Sequence, residues 1–503
     1  MKYLKTIRQV VAALSIAAVT LLFLDFTGTT HAWLGWMAKI QFLPALLALN
    51  VGVIAGLVVL TLLFGRLYCS VICPLGIMQD GFGMLGKKAK RNRYGYSAPK
   101  NALRYTMLVL MALAIVCGIG VFVALFAPYS AYGRIAQSLL APVWAWGNNL
   151  LAGWAEAHDS YAFYTVDVWL RGGVTLGVAV VTLVALGILA WRNGRTYCNT
   201  ICPVGTVLGF LSRFSLLRPV IDTTKCNGCG LCARNCKAAC INSKEHSIDY
   251  SRCVTCFDCI NKCHKGAISY TFRRTAVVSS SDHAAAMMTD GKKADTSRRQ
   301  FLAVTATMAA AAAVKAQEKT VDGGLAVIED KKIPERATRI VPPGAVSLDN
   351  LAHHCTACQL CVSACPNGVL RPSTDLETLM QPESSYERGY CRPECTRCSE
   401  VCPTGAIVQL TKAEKASTQI GHAVWVKENC VPLTDGVECG NCARHCPAGA
   451  IQMVESVEGD ETSPKIPVVN TERCIGCGAC ENLCPSRPFS AIYVEGLERH
   501  RIV

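Results

Sequence analysis

Charged residues are scarce in this sequence: Asp, Glu, Lys and Arg make up 17% of its 503 residues, whereas hydrophobic residues make up 51%. This is too apolar for a wholly soluble protein of this size, so membrane segments are expected. Catalytic motifs are lacking too, with no P-loop and no nucleophile elbow. The segment GFGMLG (81–86) has the glycine spacing of a dinucleotide-binding loop but not its context. No histidine pair lies at helical spacing within an apolar run, which argues against haem b.

Long apolar runs are present instead. Four of them approach or exceed the ~20 residues that a spanning helix needs; they are residues 9–27, 42–64, 103–127 and 174–191. Lys and Arg cluster before the first run, between the second and third, and after the fourth, whereas the opposite loops carry only Lys39, Arg134 and Arg171. The positive-inside rule predicts a four-helix membrane domain, residues 1–219, with both ends in the cytoplasm. The net charge of +14 fits this topology better than nucleic-acid binding, which we do not expect.

The second and fourth runs end in similar segments, GRLYCSVICPLG (65–76) and GRTYCNTICPVG (194–205). This predicts a two-fold pseudo-repeat in which each half is two helices followed by G-R-x-Y-C-x-x-x-C-P-x-G. The four thiols of the two loops are Cys69, Cys73, Cys198 and Cys202. They could together hold one further metal centre, or they could be structural thiols or a docking surface.

Residues 220–272 carry two runs of the form C-x2-C-x2-C-x3-C. This is the spacing of bacterial ferredoxins, in which the fourth cysteine of each run binds the other cluster. The predicted ligand sets are Cys226, Cys229, Cys232 and Cys263 for one [4Fe–4S] cluster, and Cys253, Cys256, Cys259 and Cys236 for the other. Zinc sites usually show two separated pairs instead. Lys237 and His264 replace the usual proline, and Cys240 is a surplus thiol that we interpret as a bystander.

Residues 273–344 are interpreted as a linker. Within it, TSRRQFLAVTATMAAAAAVKA (296–316) places Arg298 and Arg299 before a short run of small apolar residues. This pattern resembles a twin-arginine (Tat) export signal, and an Ala-rich helix in a linker is the alternative. Because the twin-arginine route carries folded proteins, clusters can be inserted before transport. The pattern leaves open whether the chain is cut near Ala316.

Residues 345–503 are predicted to form a second, periplasmic ferredoxin-like domain with four cysteine quartets. Each quartet ends in C-x2-C-x3-C, the core that wraps a cubane. The quartets are Cys355, Cys358, Cys361 and Cys365; Cys391, Cys395, Cys398 and Cys402; Cys430, Cys439, Cys442 and Cys446; and Cys474, Cys477, Cys480 and Cys484. The pieces that follow them, residues 368–371, 405–410, 449–454 and 490–494, are predicted strands. By analogy with multi-cluster subunits, we prefer exchange of the last cysteine between the first and fourth quartets and between the second and third. Sequential exchange is the alternative.

The expected architecture is therefore an α-helical membrane domain plus two α+β ferredoxin-like domains that hold six [4Fe–4S] clusters. All visible chemistry is electron transfer by thiolate-ligated iron. Clusters beside membrane spans favour a quinol from the bilayer as the electron donor. Its site should lie near a membrane face, and the leading candidates are Tyr129, Tyr132 and Arg134 in APYSAYGR (127–134). Further candidates in the same outer loops are His31, His158 and Asp159.

These motifs resemble two known families. Residues 1–272 resemble the membrane ferredoxin-type proteins NapH and MauN, on the four runs, the twin C-x-x-x-C-P motifs and the two terminal cysteine runs. Residues 296–503 resemble NapG and MauM, on the twin-arginine start and the long gap from Cys430 to Cys439.

The resemblance implies a quinol dehydrogenase component of a periplasmic nitrate reductase-type system in the bacterial inner membrane. It draws electrons from the quinone pool, and a periplasmic c-type cytochrome or reductase subunits receive them. The alternative is a redox maturation or regulatory factor similar to CcoG or NosR, which share the twin membrane motifs.

Overall fold

The structure is a computed structural model that describes residues 3–90, 92, 94–170, 172–273, 320–321, 326–327, 329–460 and 462–503. The export-signal prediction, residues 296–316, lies outside these residues. The N-terminal part is helical. Its helices are Tyr3–Leu24, Thr29–Leu34, Trp36–Lys39, Phe42–Leu47, Val51–Phe64, Tyr68–Val71, Pro74–Lys88, Asn101–Val116, Gly120–Phe126, Pro128–Ile135, the π-helical turn Ala136–Leu140, Ala141–Glu156, Gly173–Asn193, Thr196–Thr200 and Pro203–Ser212.

Two of these helices, Tyr3–Leu24 and Gly173–Asn193, are long and apolar enough to cross a membrane. They correspond to the first and fourth predicted runs. Only 28% and 22% of their apolar windows are buried inside the protein, so most of these side chains face outward. The second and third runs are each interrupted by a short turn, at residues 48–50 and 117–119. Asn50 explains the first break, because its side chain accepts a hydrogen bond from the Val53 amide and caps the new helix (3.2 Å).

The central part has the predicted α+β composition. Strand Leu217–Ile221 pairs antiparallel with Ile268–Phe272. A short hairpin, Ile241–Asn242 with Ser247–Ile248, and two single-turn helices, Leu231–Arg234 and Asp258–Lys262, complete it. Because the first strand begins at Leu217, this unit starts slightly before residue 220.

The C-terminal part consists of short helices and antiparallel strand pairs. The helices are Leu348–His354, Leu360–Ala364, Arg397–Val401, Lys412–Ser417, the 3₁₀ turn Lys427–Asn429, Val431–Thr434, Asn441–Arg444 and Ala479–Leu483. The strand pairs are Leu370–Pro372 with Pro382–Ser384, Ile451–Glu455 with Lys465–Val469, and Thr418–Trp425 with Ile492–Ile502. Upstream, Thr320–Val321 pairs with Ala326–Val327.

Three of the four predicted strand pieces in this part are confirmed, and the piece at residues 405–410 is wrong. Its Val408 amide instead donates to the Gly344 carbonyl (2.8 Å), so this segment binds the chain that enters the domain. The segment that leads into the domain belongs to the predicted linker, residues 273–344, yet its side chains Ile340 and Val341 are fully buried. Arg336 also forms a buried ion pair with Glu481 (2.5 Å). The domain therefore begins upstream of residue 345.

The two cysteine-rich units lie at opposite ends of the helix bundle. Near one end of helix Tyr3–Leu24, Arg8 contacts Asp80, which in turn contacts Lys237 of the central unit. Just beyond the other end, the Thr27 carbonyl accepts a hydrogen bond from Arg397 of the C-terminal part (3.1 Å). A helix of 22 residues is ~33 Å long. The two units are thus separated by about the thickness of a bilayer core.

Candidate iron–sulfur and substrate sites

Three small cavities in the structure are each lined by cysteines from two runs. They are lined by Cys430, Cys439, Cys442 and Cys484; by Cys446, Cys474, Cys477 and Cys480; and by Cys236, Cys253, Cys256 and Cys259 together with the surplus Cys240. In each set of four, three cysteines come from one run and the last comes from another run. Four thiols around a cavity fit a cubane cluster, which places one iron at each corner. Among the described residues, no three His, Cys, Asp or Glu side chains converge as ligands of a single ion.

The cysteine-bearing loops also supply backbone donors to the last cysteine of three runs. The Ala267, Ala450 and Ala491 amides donate to Cys263, Cys446 and Cys484 Sγ, each at 3.3 Å. Such donors stabilise negative charge on a thiolate. Burial raises the pKa of Cys442 to about 11 and that of Cys477 to about 12. These thiols therefore carry a proton at neutral pH until a metal centre displaces it.

In the C-terminal part, the structure brings the last cysteine of each run next to the cysteines of the run that neighbours it in sequence. The Cys402 thiol lies close enough to Cys355, Cys358 and Cys361 to interact electrostatically with each of them. Cys365, in return, lies beside Cys391 and Cys398 of the second quartet. The cavities described above show the same exchange between the third and fourth quartets. The preferred assignment of first with fourth and second with third is therefore wrong.

The physical reason is the pairing of the short helices that carry the cysteines. Leu360–Ala364 packs on Arg397–Val401, and Asn441–Arg444 packs on Ala479–Leu483. Each pair forms its own two-run unit, in which consecutive loops close on each other. In the central unit, Cys236 beside Cys253, Cys256 and Cys259 agrees with the predicted exchange. The reciprocal set of Cys226, Cys229, Cys232 and Cys263 stays a prediction.

The residues of the repeated G-R-x-Y-C-x-x-x-C-P-x-G motif each have a local role. Gly65 and Gly194 end the long helices at φ of 75° and 69°. Pro74 and Pro203 then occupy the first position of the next helix, where the missing amide costs nothing. The chain between them forms a single helical turn in each copy, Tyr68–Val71 and Thr196–Thr200.

The two motif copies bind each other through their arginines. Arg66 donates to the Cys198 carbonyl (3.1 Å), and Arg195 donates to the Cys69 carbonyl (2.7 Å). A Cβ at Gly76 would overlap the Cys69 carbonyl and Arg195, and one at Gly205 would overlap the Cys198 carbonyl and Arg66. Both positions therefore require glycine. The thiols of Cys69, Cys73, Cys198 and Cys202 are buried in one cluster as a result.

A buried charge network fastens the central unit to these motifs. Asp80 accepts from Arg8 (2.9 Å), Arg195 (2.7 Å) and Lys237 (2.8 Å). Lys237 also approaches Asp258 (3.5 Å). The residue that replaces the usual ferredoxin proline therefore has a structural role, because a proline could not reach Asp80. The three cations hold the pKa of Asp80 well below its ordinary value despite the opposing effect of burial.

The first cluster loop of the C-terminal part packs directly on the opposite end of the bundle. Ser130 donates to the Thr356 carbonyl, and a Cβ at Gly133 would overlap the Cys358 carbonyl. Apolar side chains from both sides close the contact, namely Val121, Ala124, Leu125, Val178, Ala357, Leu379 and Met380.

This contact buries the leading quinol candidates. Tyr129 lies close to Cys358, and its hydroxyl has no partner among the described residues. The Tyr132 hydroxyl bonds to Thr20, whereas the Arg134 guanidinium holds the Ala124 and Leu125 carbonyls. The exposed His158 bonds its own helix at the Trp154 carbonyl (2.9 Å). A large cleft lies nearby, and its lining does not include the candidates Tyr129, Tyr132, Arg134, His158 and Asp159.

That cleft has a volume of about 660 Å³ and lies between the helix bundle and the C-terminal part. Aromatic side chains line it, including Phe23, Trp144, Tyr164 and Trp169. Its far wall contains Cys365, a ligand candidate of the second quartet unit. Polar side chains, including Asp25, Arg388 and Arg392, line it as well, and polar groups that converge beside aromatic walls are typical of a small-molecule site. The sequence signal for it was weak, because its walls come from six separate segments.

Asp25 supplies a carboxylate to this cleft. It accepts hydrogen bonds from the Thr27, Gly28 and His31 amides at 2.7–3.0 Å and contacts His31 Nδ1 at 3.2 Å. Burial opposes ionisation, yet these donors lower the pKa of Asp25 below its ordinary value. His31 Nε2 is buried without a partner among the described residues. Sequence reasoning missed Asp25, although an acid inside the apolar run of residues 9–27 is a readable signal.

Known families match most of the cysteine-bearing segments. A family described as 4Fe-4S binding domain matches residues 45–93 and 174–221, so each motif copy falls in one match. Families described as 4Fe-4S dicluster domains match residues 249–369, 354–407 and 437–487. The match at 354–407 contains the whole first two-run unit, and the match at 437–487 contains the second one except for Cys430. No solved structure matches the chain.

Curated relatives cover both halves. Methylamine utilization ferredoxin-type protein MauM of Methylophilus methylotrophus is 33% identical over 168 residues, which is 32% of this chain and 72% of MauM. Ferredoxin-type protein NapG of Escherichia coli (strain K12) is 29% identical over 177 residues, 32% of this chain and 75% of NapG. Ferredoxin-type protein NapH of the same organism is 24% identical over 243 residues, 46% of this chain and 70% of NapH.

A shorter match joins the chain to an uncharacterized protein of Methanocaldococcus jannaschii. The two are 36% identical over 99 residues, which is 20% of this chain and only 39% of that protein. The ligand geometry, the family matches and the relatives agree on iron–sulfur chemistry. The chain therefore belongs to the MauM and NapG family of ferredoxin-type proteins, joined here to a NapH-like ferredoxin-type half.

Proposed function

We propose that this chain oxidises a membrane quinol and delivers the electrons, through six [4Fe–4S] clusters, to a periplasmic redox system of the nitrate reductase type. The observation that carries the proposal is the aromatic cleft of about 660 Å³ beside Cys365. It lies at the end of helix Tyr3–Leu24 that the proposed topology assigns to the outer side of the membrane. The names of NapG, NapH and MauM support the redox setting.

The membrane topology proposed is four spans in a two-fold pseudo-repeat, with the central unit in the cytoplasm and the C-terminal part in the periplasm. Support comes from the two units at opposite ends of the bundle and from the reciprocal arginines of the motif copies. Exposed tryptophans give further support, because Trp33, Trp36, Trp144, Trp146 and Trp154 all lie in the loops assigned to the outer side. Tryptophan concentrates at membrane–water interfaces. The twin-arginine segment supplies the means of export.

The residues of the cleft have separate roles in this proposal. Phe23, Trp144 and Trp169 provide apolar walls for a quinone ring, and Asp25 offers an acceptor to a quinol hydroxyl. His31, paired with Asp25, can hold a proton that leaves the cleft. A bound [4Fe–4S] cluster takes up and releases one electron at a time. Cys365 brings one such ligand set to the cleft wall.

Anaerobic addition of a quinol to the purified, oxidised full chain is expected to bleach its iron–sulfur absorbance near ~400 nm. Absence of reduction by both ubiquinol and menaquinol analogues, in a preparation with full iron content that dithionite does reduce, would refute quinol oxidation.

A cleft-filling variant localises the site. Ala145 lines the cleft, whereas Val143 on the same helix is exposed and does not line it. Ala145→Trp is expected to slow reduction by quinol at least tenfold, while Val143→Trp leaves the rate near wild type. Iron content and reduction by dithionite should be unchanged in both variants. Equal rates for Ala145→Trp and wild type would place quinol outside this cleft.

A periplasmic location is tested with protease on intact spheroplasts. An epitope tag after Val503 is expected to be digested, whereas a tag in the 92–100 loop survives until the membrane is broken. Protection of the terminal tag in spheroplasts contradicts export.

A maturation or regulatory factor is the second candidate, and the four buried thiols of the motif copies favour it. Chromosomal deletion separates the two functions. Loss of electron flow to a correctly assembled reductase supports quinol oxidation, whereas a reductase that lacks its metal cofactor supports maturation.

A further inference from the structure

A fifth cysteine shares the cavity that Cys236, Cys253, Cys256 and Cys259 line. Cys240 is 1% exposed, and its Sγ lies 3.5 Å from Cys236 Sγ. Its thiol also lies within hydrogen-bond range of Cys253. The surplus thiol is therefore in contact with two members of one predicted ligand set. Its interpretation as a bystander, made from spacing, does not account for this position.

The equivalent positions in the other cysteine runs show how large a side chain the fold needs at residue 240. Four residues after the last cysteine, three of the five other runs carry a fully buried alanine, namely Ala267, Ala406 and Ala450, and the remaining two carry Val369 and Pro488. The Ala267 and Ala450 amides donate to the preceding Cys263 and Cys446 thiols. The Cys240 amide makes the equivalent bond to Cys236. The backbone is thus alike, and a methyl group suffices to fill the site. The additional sulfur of Cys240 is unnecessary for packing.

We propose that Cys240 is an alternative iron ligand at the corner of the cluster that Cys236 binds. The site then offers five thiols for four iron corners. Whichever of the two thiols forms the Fe–S bond gives up its proton to solvent, and the other remains a protonated thiol beside it. Cys253, Cys256 and Cys259 bind in either arrangement. The inference requires a cluster at this site and is independent of quinol oxidation.

Iron and sulfide analysis of the full chain tests this ligand exchange. Cys236→Ala is expected to keep the iron content of wild type, because Cys240 takes the vacant corner. Cys236→Ala combined with Cys240→Ala is expected to lose up to about four iron atoms per chain, or to show the EPR signal of a three-iron cluster. Cys240→Ala alone should keep full iron.

The chain contains its own matched control. Cys263 ends the partner run, and the residue four positions later is Ala267, so no spare thiol is present. Cys263→Ala is expected to lose iron as the double variant does, and Ala267→Cys introduced into Cys263→Ala should restore it. Iron loss in Cys236→Ala equal to that of the double variant overturns the proposal. Full iron in the double variant or in Cys263→Ala also overturns it, since a fourth thiol is then dispensable.

Discussion

Combining Cys355→Ala with Cys402→Ala is expected to remove no more iron than either substitution alone, about four atoms per chain. The reason is the sequential exchange of last cysteines, which places Cys402 beside Cys355, Cys358 and Cys361. Both substitutions therefore damage one cluster. Iron and sulfide analysis of the three variants measures this directly, and the EPR spectra of the two single variants should lack the same signal.

The matched control pairs Cys355→Ala with Cys484→Ala. Cys484 lines the cavity of the third quartet, so this pair should remove about eight iron atoms. An exchange of the first quartet with the fourth predicts the opposite pattern, namely about eight atoms for the first pair and about four for the second. That outcome would refute the sequential assignment. It would also mean that the loops of the first and second quartets share no cluster, although the helices that follow them pack together.

The second large effect is expected from Asp80→Asn. The substitution leaves Arg8, Arg195 and Lys237 buried around a neutral amide, although all three bind the carboxylate at 2.7–2.9 Å. Breaking a buried ion pair typically costs about 3–5 kcal/mol. We therefore expect a clear fall in thermal stability, together with easier loss of iron from the central unit. Thermal unfolding of the detergent-solubilised chain, followed by iron–sulfur absorbance, measures both effects.

Asp222→Asn is the control, because the side chain of Asp222 is solvent-exposed and contacts only near neighbours among the described residues, Lys225 and Thr224. It should unfold as wild type does. The pH dependence gives an independent check. Because the pKa of Asp80 is lowered on folding, its contribution to stability is present above the unfolded-state value of about 4 and is lost as pH falls below it. The difference between wild type and Asp80→Asn should therefore narrow in acid. A stability difference between wild type and Asp80→Asn that widens in acid would contradict the charge network around Asp80.

Short-range features of this protein were readable from the sequence, because a C-x2-C-x2-C loop supplies three ligands from seven residues. Cys474, Cys477 and Cys480 illustrate this, since their spacing alone predicts a shared site. The fourth ligand depends on which loops pack together, and spacing carries no information about packing. The preferred pairing was wrong for this reason, although the central unit, with only two runs, left no such choice.

The helical N-terminal half shows the same contrast between what the sequence predicts and what only packing decides. The apolar runs and basic loops predicted helices, but not the interruption that Asn50 produces by capping a second helix. Tyr129 and Arg134 drew attention as polar groups at the end of an apolar run, yet contact with the C-terminal part buries them. Lys237 was noted as a departure from the ferredoxin pattern, and only the fold shows that it reaches Asp80.

The reciprocal hydrogen bonds of Arg66 and Arg195 make the two motif copies structurally dependent on each other. Arg66 satisfies a carbonyl in the opposite copy, and Arg195 does the same in return. A substitution in either copy therefore disturbs the loop in which it does not lie. If one half of the bundle is expressed without the other, or if its motif changes shape, a buried guanidinium loses its carbonyl acceptor in the opposite copy.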